Sequence, residues 1–283
     1  MTAFRSHIRS SAAIVLMAML TTGPALGQSS VDSVRIDQIG DLKAQTDSCL
    51  GGNCAAANIT GDDNSVGINQ SGSGNVVNVA VGASDLVGNG NGVSVTQSSR
   101  PSSPAGANQA HIQVSGTSNT ANVEQSIGDI SDAYSNVATV YQDGSDNRTA
   151  ISQETAGSPL VDGAFWHTNL ACGNKGNCAR VWQIGDRNET TISQTGYNNV
   201  ALSVQRGDDN SATITQDNTA SGADRTSLRA AIYQQGNGFS TSITQTSPSD
   251  AAVQAGGGIE VRRYGCAVGS CGLSITTTQG GAP

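Results

Sequence analysis

The chain has 283 residues, a formal net charge of −8 at pH 7 and a charged fraction of only 13%. An acidic chain of this kind lacks the basic surface that nucleic acid or anionic lipid requires, so we expect neither as a partner. Aromatic residues make up 4% of the chain, and Gly, Ser, Thr, Asn and Gln are abundant. Such a composition is typical either of disorder or of a fold whose interior is polar and hydrogen-bonded.

The chain begins with a predicted signal peptide over residues 1–27. A basic start is followed by an apolar stretch at residues 12–20 and by small residues at 25–27, which predicts cleavage before Gln28. The apolar stretch is too short to remain as a membrane anchor. We therefore expect an exported protein without a membrane span in the mature chain.

An eleven-residue repeat follows, in which a Gln is succeeded by a Gly two positions later and by an Asn five positions later. Three early units keep this spacing but begin with an aliphatic residue, at Ile59, Leu86 and Val114. The later units begin and end with Gln, and these glutamines are Gln142, Gln153, Gln183, Gln194, Gln205, Gln216, Gln234 and Gln245. A fixed period predicts structural units that stack on their neighbours, and disorder needs no such register.

Each repeat unit predicts a short strand and a turn. The second half of a unit alternates β-branched residues with a period of two, as in residues 213–216. The Gly and Asn positions tolerate positive φ and predict the turn, at Gly185, Asn188, Gly196, Asn199, Gly207 and Asn210. Two units then form one coil of about 22 residues, and six to eight coils form an all-β β-solenoid. We expect the glutamines to face inward as a hydrogen-bonded amide ladder, although solvent-facing strand positions are the alternative.

Four insertions are expected to interrupt a single repeat domain over residues 28–283. They are placed near residues 98–110, 154–178, 217–228 and 246–270, where prolines stand or the spacing fails.

Six cysteines form three close pairs in the sequence: Cys49 and Cys54, Cys172 and Cys178, and Cys266 and Cys271. An exported chain enters an oxidising compartment, so disulfides are favoured. Six cysteines allow fifteen pairing schemes, and proximity favours the one scheme in which each cysteine pairs with its near neighbour. Zinc is the weaker interpretation, because zinc sites usually need closer cysteines or nearby histidines.

These units resemble the repeats of curlin, the subunit of bacterial curli fibres. The resemblance rests on Gln194-Gly196-Asn199-Ala201-Gln205 and on Gln205-Gly207-Asn210-Ala212-Gln216. It implies an extracellular amyloid subunit of cell-surface fimbriae (pili), which is exported through an outer-membrane pore and serves adhesion and biofilm matrix. Implied partners are further copies, other curlin-repeat chains and the export apparatus. The aliphatic Gln positions and the insertions leave major, minor and nucleating subunits open.

Other functions are less well supported by the sequence. Asp-rich turns such as residues 207–210 invite a calcium site, but the nine-residue calcium repeat is absent. No convergent acid, base and nucleophile motif is present, so we expect neither an enzyme nor a cofactor. Trp182, with Phe165 and Trp166, forms either an apolar plug or a contact patch. A monomeric surface adhesin with the same solenoid remains the main alternative.

Overall fold

The computed structural model describes residues 33–39, 53–59, 61, 63–72, 74–82, 89–99, 108–128, 135–155, 176–219, 228–246, 250–255, 259–264 and 273–279. Every regular element in these ranges is a β-strand. The strands are β1 (Ser33–Ile39), β2 (Cys54–Ile59), β3 (Ser65–Ser71), β4 (Val76–Val81), β5 (Gly92–Ser98), β6 (Gln109–Thr117), β7 (Thr120–Ile127), β8 (Val137–Ser145), β9 (Arg148–Thr155), β10 (Cys178–Ile184), β11 (Glu189–Gly196), β12 (Val200–Arg206), β13 (Ser211–Asn218), β14 (Arg229–Gln235), β15 (Phe239–Gln245), β16 (Asp250–Ala255), β17 (Ile259–Tyr264) and β18 (Leu273–Gln279).

Successive strands alternate between two nine-stranded sheets, up to β16. Sheet A has the order β1-β3-β5-β7-β9-β11-β13-β15-β18, and sheet B has the order β2-β4-β6-β8-β10-β12-β14-β16-β17. Each strand through β14 is hydrogen-bonded in parallel to the strand two places later in the chain. One strand of each sheet with its turns is therefore one coil, and the prediction of a β-solenoid is confirmed.

The register places equivalent residues of successive coils above one another. Gln183 pairs with Gln205, 22 residues later. In sheet A, Ile192 pairs with Ile214. Because parallel pairing without a slip keeps every side chain on its own face, each repeat position becomes a column along the solenoid.

The core lies between the two sheets and is built by strict alternation of side chains. In β9 every second residue is buried and the others are exposed. The buried aliphatic residues are small or β-branched, which suits tightly stacked parallel strands. Fully buried examples are Val140, Val181, Ile192, Ile214 and Ile232.

Glycine at the turns permits the close approach of successive coils. Gly185 has a φ of +113° and Gly207 a φ of +110°, a region that L side chains rarely adopt. A Cβ atom on Gly185 would lie 2.3 Å from the carbonyl oxygen of Gly207 in the next coil. The turn glycine is therefore required both by its own backbone and by its neighbour.

The C-terminal end of the solenoid departs from the repeat. Strand β17 runs antiparallel to β16, and β18 runs antiparallel to β15. The segment near 246–270, predicted as an insertion, thus contains the strands β16 and β17. An antiparallel pair carries no eleven-residue signal, so the repeat pattern gave no reason to expect it.

The other predicted insertions coincide with connections between strands. The segments near 98–110, 154–178 and 217–228 join β5 to β6, β9 to β10 and β13 to β14. Long connections also join β1 to β2, β4 to β5 and β7 to β8, which the spacing did not single out. Each of these long connections joins a strand of one sheet to a strand of the other sheet. The parallel register within each sheet continues past them.

Candidate assembly site: amide columns and strand edges

A continuous column of glutamines runs through sheet A. Each Nε2 donates to the Oε1 of the next glutamine at 2.7–2.8 Å. Its members are Gln70, Gln97, Gln125, Gln153, Gln194, Gln216 and Gln245, all at most 1% exposed. The same Nε2 groups also donate across to the first backbone carbonyl of the preceding sheet B strand, as Gln194 does to Cys178 at 3.0 Å. Each amide therefore ties one coil to the next and one sheet to the other.

A second, shorter glutamine column runs through sheet B. It contains Gln142, Gln183, Gln205 and Gln234, joined at 2.8–2.9 Å. Here too each Nε2 reaches the opposite sheet, as Gln205 does to the carbonyl of Glu189 at 3.0 Å. The eight glutamines singled out in the sequence thus lie in two buried columns, four in each sheet, and the eleven-residue spacing alternates between them.

Three members of the sheet A column were missed as site residues in the sequence. Gln70, Gln97 and Gln125 close the early units, whose first position is aliphatic. In the register of sheet B these aliphatic positions are Ile59, Val81 and Val114.

The first position of the second early unit was assigned wrongly. Leu86 was chosen from the spacing, but Val81 is the residue that pairs with Val114. Leu86 lies outside the described residues. Leu86 comes five positions after Val81 in the sequence, and a constant period cannot reveal such a change of spacing.

Two buried asparagine columns run beside the turns, and they include the predicted turn residues Asn188, Asn199 and Asn210. One column contains Asn64, Asn91, Asn119, Asn147, Asn188 and Asn210, and the other contains Asn53, Asn75, Asn108, Asn136, Asn177 and Asn199. Asn188 shows the pattern: its backbone N and Nδ2 donate to Asn147 Oδ1 at 3.0 and 3.1 Å, and Nδ2 also reaches the carbonyl of Gly207 at 2.7 Å. The asparagines therefore hold the corner and link successive coils.

Two of the polar columns end inside the molecule at a side-chain oxygen without a hydrogen-bond partner. Gln142 Oε1 has none, because its neighbour in the preceding coil is Val114. Asn199 Oδ1 has none either, and Leu228 occupies the equivalent position of the following coil. A buried unsatisfied oxygen costs about 1–3 kcal/mol. This cost arises at these two column ends, whereas the oxygens of the interior members have hydrogen-bond partners.

Charged residues lie on the turns outside the columns. Arg187 forms two bonds to the Asp209 carboxylate, Nε to Oδ1 at 2.7 Å and Nη2 to Oδ2 at 2.9 Å. This hydrogen-bonded guanidinium lowers the pKa of Asp209 and the carboxylate raises the pKa of Arg187. Asp186 and Asp208 accept backbone N–H groups of the neighbouring turns, so these carboxylates brace the stack. Within the described part of the chain, no three His, Cys, Asp or Glu side chains lie together as a metal site would need.

Cys54 and Cys178 occupy equivalent places in the solenoid. Each is the first residue of a sheet B strand and follows a buried asparagine, Asn53 or Asn177. Neither is a free thiol. Cys49, Cys172, Cys266 and Cys271 lie outside the described residues, so the three local pairings stay a prediction.

The outer face of sheet B carries aromatic side chains. Trp182 is 38% exposed and packs against Tyr141 with ring centroids 5.2 Å apart. Its place is an exposed strand position and not an interior plug; Phe165 and Trp166 lie outside the described residues.

The two ends of the solenoid present strand edges. Within the described ranges, β1 pairs only with β3 and β2 only with β4, so both leave one side of their backbone without a strand partner. A strand edge of this kind is a template for pairing with another chain. The described residues include no helix of the length and hydropathy that a membrane crossing requires.

Comparison with known proteins identifies a repeat family. The family described as curlin associated repeat matches residues 185–217, which run from the turn before β11 into β13. No curated protein and no solved structure matches the chain. The matched segment contains Gln194, Gln205 and Gln216, which stand in the two glutamine columns. Residues 185–217 of the chain therefore match a curlin associated repeat, and this match falls on stacked coils of the solenoid.

Proposed function

We propose that the chain is an exported structural subunit of extracellular curli-like amyloid fibres, which joins other curlin-repeat chains by stacking of strand edges. The observation that carries the proposal is the in-register parallel stacking of both sheets. A further coil from another molecule is held by the interactions that already hold one coil on the next: backbone pairing and continued amide columns. The proposal includes no catalytic step and no cofactor.

The buried amides give such stacking its specificity. At two column ends, a neighbour without a carboxamide leaves an acceptor unsatisfied: Val114 beside Gln142 and Leu228 beside Asn199. Each such fault costs about 1–3 kcal/mol, so coils with the same repeat are strongly preferred as neighbours.

The acidic composition and the local cysteine pairs support export and surface assembly. We propose that Cys49–Cys54, Cys172–Cys178 and Cys266–Cys271 are disulfides, because the members of each pair are close in the sequence. Loops this short hardly widen an unfolded chain and are therefore compatible with passage through an export pore. Peptide mapping under non-reducing conditions checks the pairing. A bridge between Cys49 and Cys172 would contradict it.

The experiment that tests the function is co-assembly with a purified curlin-repeat fibre subunit. The chain without residues 1–27 is expected to enter the fibres or to shorten the lag of their formation. The fibres are expected to show a meridional spacing of about 4.7–4.8 Å in diffraction. The matched variants are Gln194→Ala with Gln205→Ala, which slow assembly, and the exposed controls Arg187→Ala with Arg206→Ala, which slow it less.

The second candidate is a monomeric surface adhesin. It is favoured by the exposed aromatic pair Tyr141 and Trp182 on the outer face of sheet B, which fits a contact patch. In the same experiment, a chain that stays monomeric at high concentration and neither enters nor accelerates fibres supports the adhesin and contradicts the fibre subunit.

A further inference from the structure

The two ends of the solenoid differ in strand direction. At the N-terminal end the edge strands β1 and β2 run parallel to the strands they cover. At the C-terminal end the edge strands β18 and β17 are antiparallel to β15 and β16. A parallel coil can therefore continue the pattern of the molecule at the first end only.

The side chains at the column positions differ between the ends in the same sense. Towards the C-terminus all four polar columns are replaced by residues without a carboxamide. Leu273 pairs with Gln245 and Ala255 pairs with Gln234, while Phe239 and Leu228 stand in the asparagine positions after Asn210 and Asn199.

Towards the N-terminus two of the four polar columns reach the edge coil. Gln38 of the edge strand β1 is in register with Gln70. Asn53 directly precedes the edge strand β2, and its Oδ1 accepts from Asn75 in the standard pattern of the column. Of the other two columns, the sheet B glutamines are replaced by Val114, Val81 and Ile59. Asn64 is the last described member of its column, because residue 32, which directly precedes β1, is Asp and lies outside the described residues.

We propose that the chain is a directional end subunit: its N-terminal edge, β1 and β2, accepts the last coil of a different curlin-repeat chain, and its C-terminal edge, β17 and β18, stops growth. This inference rests on the proposed function. The partner is defined by chemistry: its exposed terminal coil is parallel and bears Gln and Asn at the column positions. A second copy of this chain does not qualify, because its corresponding end is antiparallel and aliphatic.

The polarity of the hydrogen bonds agrees with this direction. In the glutamine column each residue donates to the Oε1 of the following coil, and in the asparagine columns each residue donates to the Oδ1 of the preceding coil. An incoming coil that precedes β1 and β2 supplies both a glutamine donor towards position 38 and an asparagine acceptor towards Asn53. Both columns then pass through the junction without a change of direction.

The test locates the chain in mixed fibres. The wild-type chain carries a small gold-binding tag after Pro283 and is mixed with a purified curlin-repeat subunit that forms fibres alone. Electron microscopy is expected to show gold at one end of a fibre, and the chain alone is expected to form no long fibres. Gold spread along the fibres, or found equally at both ends, overturns the inference and leaves the proposed function standing. Absence of gold from fibres whose lag is unchanged contradicts the proposed function itself.

Edge variants assign the active end. Successive backbone N–H groups of a strand point to opposite sides of the strand. Of the variants Ile36→Pro and Asp37→Pro in β1, one therefore removes a donor on the side that faces β3 and the other removes a donor on the open side. Hydrogen exchange of β3 to β13 identifies the variant that keeps the solenoid intact. That variant is expected to lower terminal labelling at least tenfold, while the matched variant Val261→Pro in β17 does not. Equal labelling of fibre ends by the β1 variant and by Val261→Pro overturns the inference. If neither β1 variant folds, the position of the gold on fibres with the wild-type chain tests the inference.

Discussion

A single buried glutamine in this protein makes interactions that a buried aliphatic residue cannot replace. Gln194 accepts from Gln153, donates to Gln216 and donates to the carbonyl of Cys178, all at 2.8–3.0 Å. Gln194 is 1% exposed, so these hydrogen bonds form away from bulk water. An interior glutamine of the column therefore provides an acceptor for one neighbouring carboxamide and a donor for the other.

Replacement of Gln194 by Ala is expected to lower the free energy of unfolding by about 3–5 kcal/mol, from lost packing and from stranded polar groups on Gln153 and Gln216. The control is Thr191→Ala, an exposed residue of the same strand, with an expected loss of about 1 kcal/mol or less. Urea unfolding measures both. Equal losses would show that the carboxamide column adds nothing to strand propensity.

The exposed pair of Arg187 and Asp209 predicts a local pH effect. The hydrogen-bonded guanidinium lowers the pKa of Asp209, so the stabilisation is present above the unfolded-state value of about 3.9 and is lost as the pH falls through the folded-state pKa. Carboxyl NMR titration of Asp209 is expected to show an upward shift of this pKa in Arg187→Ala and none in Arg206→Ala. An unchanged pKa in Arg187→Ala would exclude the pair as its cause.

At the scale of the elements, the turn decides how closely two strands of successive coils can lie. Gly185→Ala is expected to cost about 2 kcal/mol or more, because the new Cβ meets the carbonyl oxygen of Gly207 and φ is positive. Gly92→Ala is the control, since Gly92 has ordinary φ and no neighbour within 4 Å of its added Cβ. Thermal or urea unfolding compares the two. A similar loss in both would show that turn geometry does not limit the stacking.

The strands and the inward glutamines follow from the sequence because they depend on a local rule repeated at constant spacing. The asparagine columns were harder to predict, since an Asn that forms a turn at the surface and one that also links buried coils have the same local pattern. Val81 was missed because the connection after β4 changes the spacing. Strand β16 continues the parallel stack without Gln at the column position, where Ala255 stands, and β17 and β18 are antiparallel strands that follow no repeat. These features depend on contacts between residues far apart in the chain, and a repeat pattern in the sequence does not report such contacts.

At the scale of the whole molecule, the solenoid is nearly one-dimensional. Each strand packs mainly against the strand before and the strand after it in its sheet. Stability is then close to a sum over coils and their interfaces, and the consequence of a fault depends on its place in the stack. A fault near an end separates few coils from the rest, whereas a central fault divides the stack into two shorter ones.

Hydrogen exchange of Gln70→Ala and Gln194→Ala tests this property. Gln70 lies in the second coil from the N-terminal edge, so its replacement is expected to lower protection in β1 to β5 and to leave β9 to β15 unchanged. Gln194 lies in the interior, so its replacement is expected to lower protection on both sides, in β9 and in β13. Both side chains are buried and belong to the same column, which makes position the difference between the two variants. If Gln70→Ala lowered protection equally through β15, the molecule would unfold as one cooperative unit, and the additive description of its coils would be wrong.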